Sequence, residues 1–167
     1  MAQISIIIPT LDEAAGIGAT LAALQPLRSR GHDVIVVDGG SGDGTPELAR
    51  PLADRVIAAP RGRASQMNAG AAEARGDIVL FLHADTLLPE NADRLVLQGL
   101  ATTRLLWGRF DVHIAGRHPL LPVVAWLMNL RSRMTSVATG DQAMFAWREA
   151  QGPREAAERA GCCGRSR

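Results

Sequence analysis

The sequence predicts an α/β fold with a mostly parallel central sheet and flanking helices, and three observations carry that expectation. Short apolar, β-branched runs recur at 4–8, 34–37, 56–59 and 78–82, each bounded by turn residues, the pattern of strands buried on both faces of a parallel sheet. Stretches of helical spacing follow each run, so strand and helix alternate over about a hundred residues, which predicts a doubly wound sheet with right-handed crossovers. The polar and glycine-rich segments come after strands, where open α/β sheets gather their ligands.

The elements follow in order. The run 4–8 is a strand ended by Pro9, with a loop to Glu13. Residues 14–24 are rich in Ala and Leu at near-helical spacing and predict a helix that stops before Pro26. The strand 34–37 runs into Asp38-Gly39-Gly40-Ser41-Gly42-Asp43-Gly44. Thr45 with Pro46 behind it reads as an N-cap and first helical position, opening a helix to about Ala53. A short strand at 56–59 leads to Pro60-Arg61-Gly62-Arg63, and a helix over 64–74 stops at Gly76-Asp77. The strand 78–82 ends in His83-Ala84-Asp85-Thr86, and a helix is expected over 90–100.

Beyond that the pattern changes. Residues 105–114 look extended, with an antiparallel pair expected around Arg109-Phe110-Asp111. A helix over 122–134 carries an apolar face (Val123, Trp126, Leu127, Leu130) and Arg131 and Arg133 near its end, a favourable place for cations. Trp107 and Trp126 are expected to serve in packing. Residues 140–145 form a loop entering a short strand, and from Trp147 onward Arg, Ala, Gly and Glu dominate without apolar periodicity.

Composition narrows the function. The chain has 167 residues, 47% of them hydrophobic, and a formal net charge of +1. That suits one globular domain and excludes the strongly basic character of a nucleic-acid binder. Every basic residue is arginine, a coding bias more than a functional signal. The adjacent Cys162 and Cys163 make no disulfide framework. Neither a leader pattern nor a membrane-spanning run is evident, so a cytoplasmic location is the default expectation.

Each candidate site has a plain structural alternative. Asp38, Ser41 and Asp43 either grip a nucleoside or close a turn by bonding neighbouring amides. Asp38 offers only acceptors, which suits base N–H groups or ribose hydroxyls better than phosphate. Arg61 and Arg63 flank Gly62 before a helix, an arrangement suited to a diphosphate or to a merely exposed basic loop. Gln66 and Asn68 lie two apart on that helix, so at most one faces the site. Asp85 past its strand either binds a hard divalent cation or caps the next helix, and His83 is a metal ligand, a phosphate contact or a strand-end residue. Asp141 is a candidate base or a turn aspartate.

Together, the motifs at 6–13, 36–45, 62–70, 82–86 and 140–145 resemble family 2 glycosyltransferases of the nucleotide-diphospho-sugar transferase (GT-A) fold. His83-Ala84-Asp85 and Gly140-Asp141-Gln142 are similar to a bacterial subgroup called the glycosyltransferase of arsenosugar biosynthesis, or selenodomain-associated transferase 2. The resemblance covers residues 1–146 and leaves 147–167 as an atypical, poorly ordered Arg/Gly-rich tail. It implies metal-dependent, inverting transfer of a sugar from a nucleotide-diphospho-sugar to an acceptor hydroxyl, with Mg2+ or Mn2+ as cofactor. Donor contacts would come from Pro9, Leu11, Glu13, Asp38, Gly39, Ser41, Asp43, Arg63, Asn68, His83, Ala84 and Asp85, with Asp85 the metal ligand. Acceptor contacts would come from Gly140, Asp141 and Gln142, with Asp141 as the base. His83 stands where the family's Asp-x-Asp motif has its first acid, and the family's Glu-Asp base pair has no match in the chain. That departure reads as a truncated or frame-shifted end and leaves an alternative, a remnant that binds donor without efficient turnover. No nucleic-acid partner is expected, and 122–134 is a candidate for peripheral contact with the inner membrane.

Overall fold

The computed structural model describes residues 2–103, 105–114, 118, 120–135 and 143–151. The strands are β1 (Ile4–Thr10), β2 (Asp33–Asp38), β3 (Arg55–Ala58), β4 (Ile78–Phe81), β5 (Trp107–Arg109) and β6 (Met144–Trp147). They form a six-stranded sheet in the order β3-β2-β1-β4-β6-β5. The first four pair in parallel, with Thr10 opposite Asp38 at one end of the β1–β2 ladder. β6 is antiparallel to both β4 and β5.

Helices α1 (Ile17–Ala23), α2 (Gln25–Ser29), α3 (Thr45–Ala49) and α5 (Ala92–Thr103) occupy the stretches between parallel strands and after β4, and α4 (Arg63–Glu73) joins β3 to β4. Alternation along the central strands supplies both faces with side chains. Ile4, Ile6, Ile8, Val34, Val36 and Leu80 pack with Ile17, Leu21, Leu24 and Val96. Ile7, Ile35, Val37 and Val79 pack on the opposite face with Ala69, Ala71 and Ala74 at α4. Gly70 lets α4 sit close: a methyl there would stand 2.4 Å from Ile7 Cγ2 and 3.0 Å from Val37 Cγ2.

The helix expected over 14–24 stops before Pro26, since α1 ends at Ala23 with Leu24 as its cap. Pro26 sits in the first turn of the separate α2, where a missing N–H costs nothing. Other expectations are corrected. Thr45 is the first residue of α3, and Gly44, at φ +87°, holds the cap position. The antiparallel pair expected around 109–111 forms with β6 as its partner: Arg109 stands opposite Met144, and Phe110 N donates to Ala143 O at 3.0 Å. Trp126 is 60% exposed, not packed. It belongs to α6 (Leu121–Thr135), whose rotation is set by Asn129: its side-chain amide donates to Val112 O at 3.0 Å and accepts from Val112 N at 2.9 Å. Trp147 closes β6, and Arg148–Gln151 forms a 3-10 turn. The tail expected from 147 otherwise lies outside the described residues.

Candidate functional site

Because β1 to β4 are parallel, the loops that leave their carboxyl ends share one edge of the sheet. Those loops carry residues 11–16, 39–44, 59–62 and 82–91, so the motifs at 38–45, 62–63 and 83–85 gather there. Pro9 lies within β1 opposite Val37, and Leu11 and Glu13 are half-buried just beyond.

The first two loops are sewn together by side chains that accept backbone N–H groups. Asp38 is buried, and its Oδ2 accepts from Gly40 N and Ser41 N, both at 2.9 Å, while Oδ1 accepts from the Ser41 hydroxyl. Ser41 Oγ in turn accepts from Asp12 N at 2.9 Å, and Asp12 Oδ1 accepts from Gly42 N at 2.8 Å. Asp12 holds a left-handed backbone at φ +54°, a conformation aspartate tolerates better than most residues. Asp43 repeats the pattern: Oδ2 takes Ala14 N at 2.9 Å and Oδ1 takes Thr45 N and the Thr45 hydroxyl. These bonds, the Thr45 hydroxyl first and the Ala14 amide next, hold the Asp43 carboxyl below its usual range. Thr45 Oγ1 also accepts from Glu13 N at 2.9 Å. The aspartates thus build the glycine-rich loop's shape. A carboxylate has about four acceptor positions, so Asp38 keeps one beyond its three internal bonds.

Gln66 joins this edge to α4. It is buried, and its Nε2 donates to Thr10 O at 2.7 Å and to Val37 O at 2.9 Å. Thr10 O also accepts from Gly39 N at 2.9 Å, so Gln66 fills the fork where the β1–β2 ladder ends. Asn68 is exposed, as the two-residue offset requires. Arg63 opens α4 behind Gly62, whose φ of +138° is a conformation L side chains rarely adopt.

At the end of β4, Ala84 is fully buried and its carbonyl accepts from the Thr20 hydroxyl. That anchor leaves His83 and Asp85 flanking a fixed point. His83 Nδ1 and Asp85 Oδ1 stand 2.6 Å apart. The distance is that of an ion pair, but the approach lacks hydrogen-bond geometry, and among the described residues Nδ1 is buried without a hydrogen-bond partner. As they stand the two atoms pair with each other. A cation bound by both at about 2.1 Å would need them about 3 Å apart, a small outward shift, and the mixed N/O donor set would suit Mn2+ better than the all-oxygen preference of Mg2+. Among the described residues no cluster of three or more His, Cys, Asp or Glu side chains could hold a metal. The protein side of such a centre is therefore thin, and a donor's phosphate oxygens and water would complete it.

Gly140, Asp141 and Gln142 lie outside the described residues. Sequence reasoning missed the ties made by Gln66, Thr45, Asp12 and Thr20. Of these, only Gln66 carried a signal, its position one turn after Arg63.

Comparison with known proteins bears on this edge. The family model described as Glycosyl transferase family 2 matches residues 5–159. A succinoglycan biosynthesis protein, ExoA, of Rhizobium meliloti is 37% identical over 107 residues, covering 58% of this chain and 32% of that protein. A glucosyl-3-phosphoglycerate synthase of Mycolicibacterium paratuberculosis is 32% identical over 96 residues, 52% of this chain and 29% of that one. The chain thus spans about a third of the length of these curated relatives. Among solved structures, a mannosyltransferase of Pyrobaculum calidifontis in complex with GDP-Man and Mn2+ superposes with a TM-score of 0.65 at 28% identity, over 95% of this chain and 46% of that one. The glucosyl-3-phosphoglycerate synthase of Mycobacterium tuberculosis, with Mn2+, UDP and glucosyl-3-phosphoglycerate, gives 0.64 at 26% identity, over 89% and 57%.

Proposed function

The chain belongs to glycosyl transferase family 2, and from that premise we propose that it moves a glycosyl group from a nucleotide-diphospho-sugar to an acceptor hydroxyl, with inversion at the anomeric carbon. One observation carries the proposal: the glycine-rich loop after β2, the arginine that opens α4 and the His83–Asp85 pair all belong to one sheet edge. A nucleoside needs acceptors, a diphosphate needs cations and donors, and this edge offers them in that sequence.

In the proposed site, Pro9, Leu11 and Glu13 wall the nucleoside pocket. Asp38 uses its remaining acceptor position for a base or ribose donor. Ser41 and Asp43 keep the loop in shape around it, and Gly39 admits the close approach. Arg63 faces the diphosphate, with Asn68 at the outer margin. His83 and Asp85 would hold a divalent cation, with Ala84 as their anchor. Bound there, the cation would neutralise charge developing on the leaving diphosphate. Gly140, Asp141 and Gln142 are assigned to the acceptor, Asp141 taking the proton of the attacking hydroxyl as general base. The mixed His/Asp pair and the motif at 140–142 support membership of the arsenosugar-biosynthesis subgroup.

The test is calorimetric titration of UDP and GDP in Mn2+, followed by release of nucleotide from UDP-glucose and GDP-mannose. Binding with turnover is expected. Binding without turnover would favour a donor-holding protein, and absence of binding by either nucleotide would overturn the proposal.

A further inference from the structure

The His83–Asp85 pair stands on a tight turn. Thr86 N donates to His83 O at 3.1 Å, so residues 83–86 close a β-turn with Ala84 and Asp85 as its central residues. The peptide unit between the central residues of such a turn has two orientations. In a type I turn φ is negative at the third residue; in type II the unit is flipped and that φ is positive. Aspartate tolerates a positive φ, as Asp12 does in this chain at φ +54°. Asp85 holds the third position of its turn, and its φ is not positive. The residues of the turn leave both orientations open, so a contact from outside selects one.

The carbonyl of that central peptide is Ala84 O, and it accepts from the Thr20 hydroxyl of α1, 64 residues away in sequence. Ala84 is 0% exposed and Thr20 3%. A threonine hydroxyl inside a helix commonly bonds a carbonyl of its own preceding turn; this one reaches out of α1 instead. Thr20 lies between the buried Ile17 and Leu21, where valine would offer the same branched shape without bringing a polar group into the core. Flipping the Ala84–Asp85 peptide would break the bond and strand a buried hydroxyl. It would also change φ at Asp85, and with it the direction of the carboxylate that now stands 2.6 Å from His83 Nδ1.

We propose that Thr20 is a positioning residue: its hydroxyl locks the central peptide of the 83–86 turn and thereby keeps His83 and Asp85 aimed at one divalent cation. The inference rests on the reading of that pair as cation ligands.

The test compares Thr20→Val, which keeps the shape and loses the donor, with Thr20→Ser, which keeps the donor. Mn2+ uptake is followed by electron paramagnetic resonance at saturating UDP or GDP. Thr20→Val should weaken Mn2+ binding about tenfold or more, the loss usual for a group that orients a metal ligand. Thr20→Ser should restore it, which a merely lost packing contact would not allow, and nucleotide affinity without metal should be unchanged in both. In the chain free of nucleotide and metal, the Thr86 N–H should exchange with solvent faster in Thr20→Val than in Thr20→Ser, while the amides of β1 and β2 exchange alike. If Thr20→Val does not fold, Thr20→Cys, a weak donor close to serine in size, takes its place. Equal Mn2+ affinity in the valine and serine variants, or equal Thr86 exchange, would overturn the proposal. An unaltered chain that takes up no Mn2+ with either nucleotide would instead sink the cation reading, and the Thr86 exchange would still decide the lock.

Discussion

Gln66 and Gly39 fit each other at the fork between β1 and β2. The Gln66 amide bridges Thr10 O and Val37 O, and a methyl on residue 39 would stand 3.0 Å from Gln66 Nε2. The glycine is therefore a space requirement of a buried hydrogen-bonded side chain as well as part of a flexible loop.

Gln66→Leu removes both bonds while roughly keeping volume. Thr10 O retains Gly39 N and Val37 O retains the Thr10 hydroxyl at 3.4 Å, so the loss centres on the fork's geometry. A destabilisation of about 1–3 kcal/mol is expected, with weaker nucleotide binding. Gly39→Ala should cost a similar amount by overpacking, about 1–3 kcal/mol. In a Gln66→Ala background its cost should shrink, because the clash is gone. Chemical denaturation of the four proteins in this cycle measures the coupling.

Gly70→Ala sets two effects against each other. Alanine in a helix interior gains about 1 kcal/mol over glycine. The new methyl, however, would lie 2.4 Å from Ile7 Cγ2 on a fully buried strand, and overpacking of that kind costs about 1–3 kcal/mol. The net change is expected to be destabilising, and a lowered midpoint in urea would confirm it.

Acid should unfold the protein through its paired carboxylates. Burial pushes the Asp54 carboxyl up, but the Arg28 guanidinium and the Val34 amide outweigh that and hold it below its usual range. Asp93 behaves likewise, with burial opposed by Arg30 and the Arg94 amide, and then by His32. A carboxyl lowered in the folded state contributes stability above its unfolded value, about 3.9, and loses it as pH falls through the folded value. Thermal melts should therefore change little between about pH 7 and 5 and fall steeply below about pH 4. In Asp54→Asn that acid slope should be shallower and the neutral-pH midpoint lower.

Asp43→Ala removes three bonds, one to Ala14 N in the loop at 11–14 and two to Thr45 within its own loop, without touching the core. Its effect should be larger on nucleotide affinity than on stability. Parallel calorimetry and denaturation of this variant compare the two.

How far sequence carried the structure varied from residue to residue. The parallel strands were legible because β-branched runs such as 34–37 act locally and are buried on both faces. Thr45 was misjudged as a cap because its hydroxyl is claimed by Glu13 N, 32 residues away in sequence, a competitor no local pattern reveals. The apolar stripe of α6 was visible, but not its outward direction, which depends on Asn129 meeting Val112. Asp85 was legible from its motif as a metal-ligand candidate, with His83 in the place of the motif's first acid; that the two side chains meet was not. Their approach depends on Ala84 being pinned by Thr20 from another helix, a tertiary fact. The bonds of Asp38 and Asp43 are those of the turn-closing alternative, each acid accepting N–H and hydroxyl groups of nearby residues.

The central claim is a cation held jointly by His83–Asp85 and a donor diphosphate, and Mn2+ electron paramagnetic resonance tests it most directly. The signal of free Mn2+ should change little on adding protein alone. With UDP or GDP present it should fall beyond what nucleotide alone causes, and Asp85→Asn should abolish that extra loss. An Mn2+ signal that protein leaves unchanged in the presence of either nucleotide, or that Asp85→Asn lowers as fully as the unaltered chain does, would contradict it.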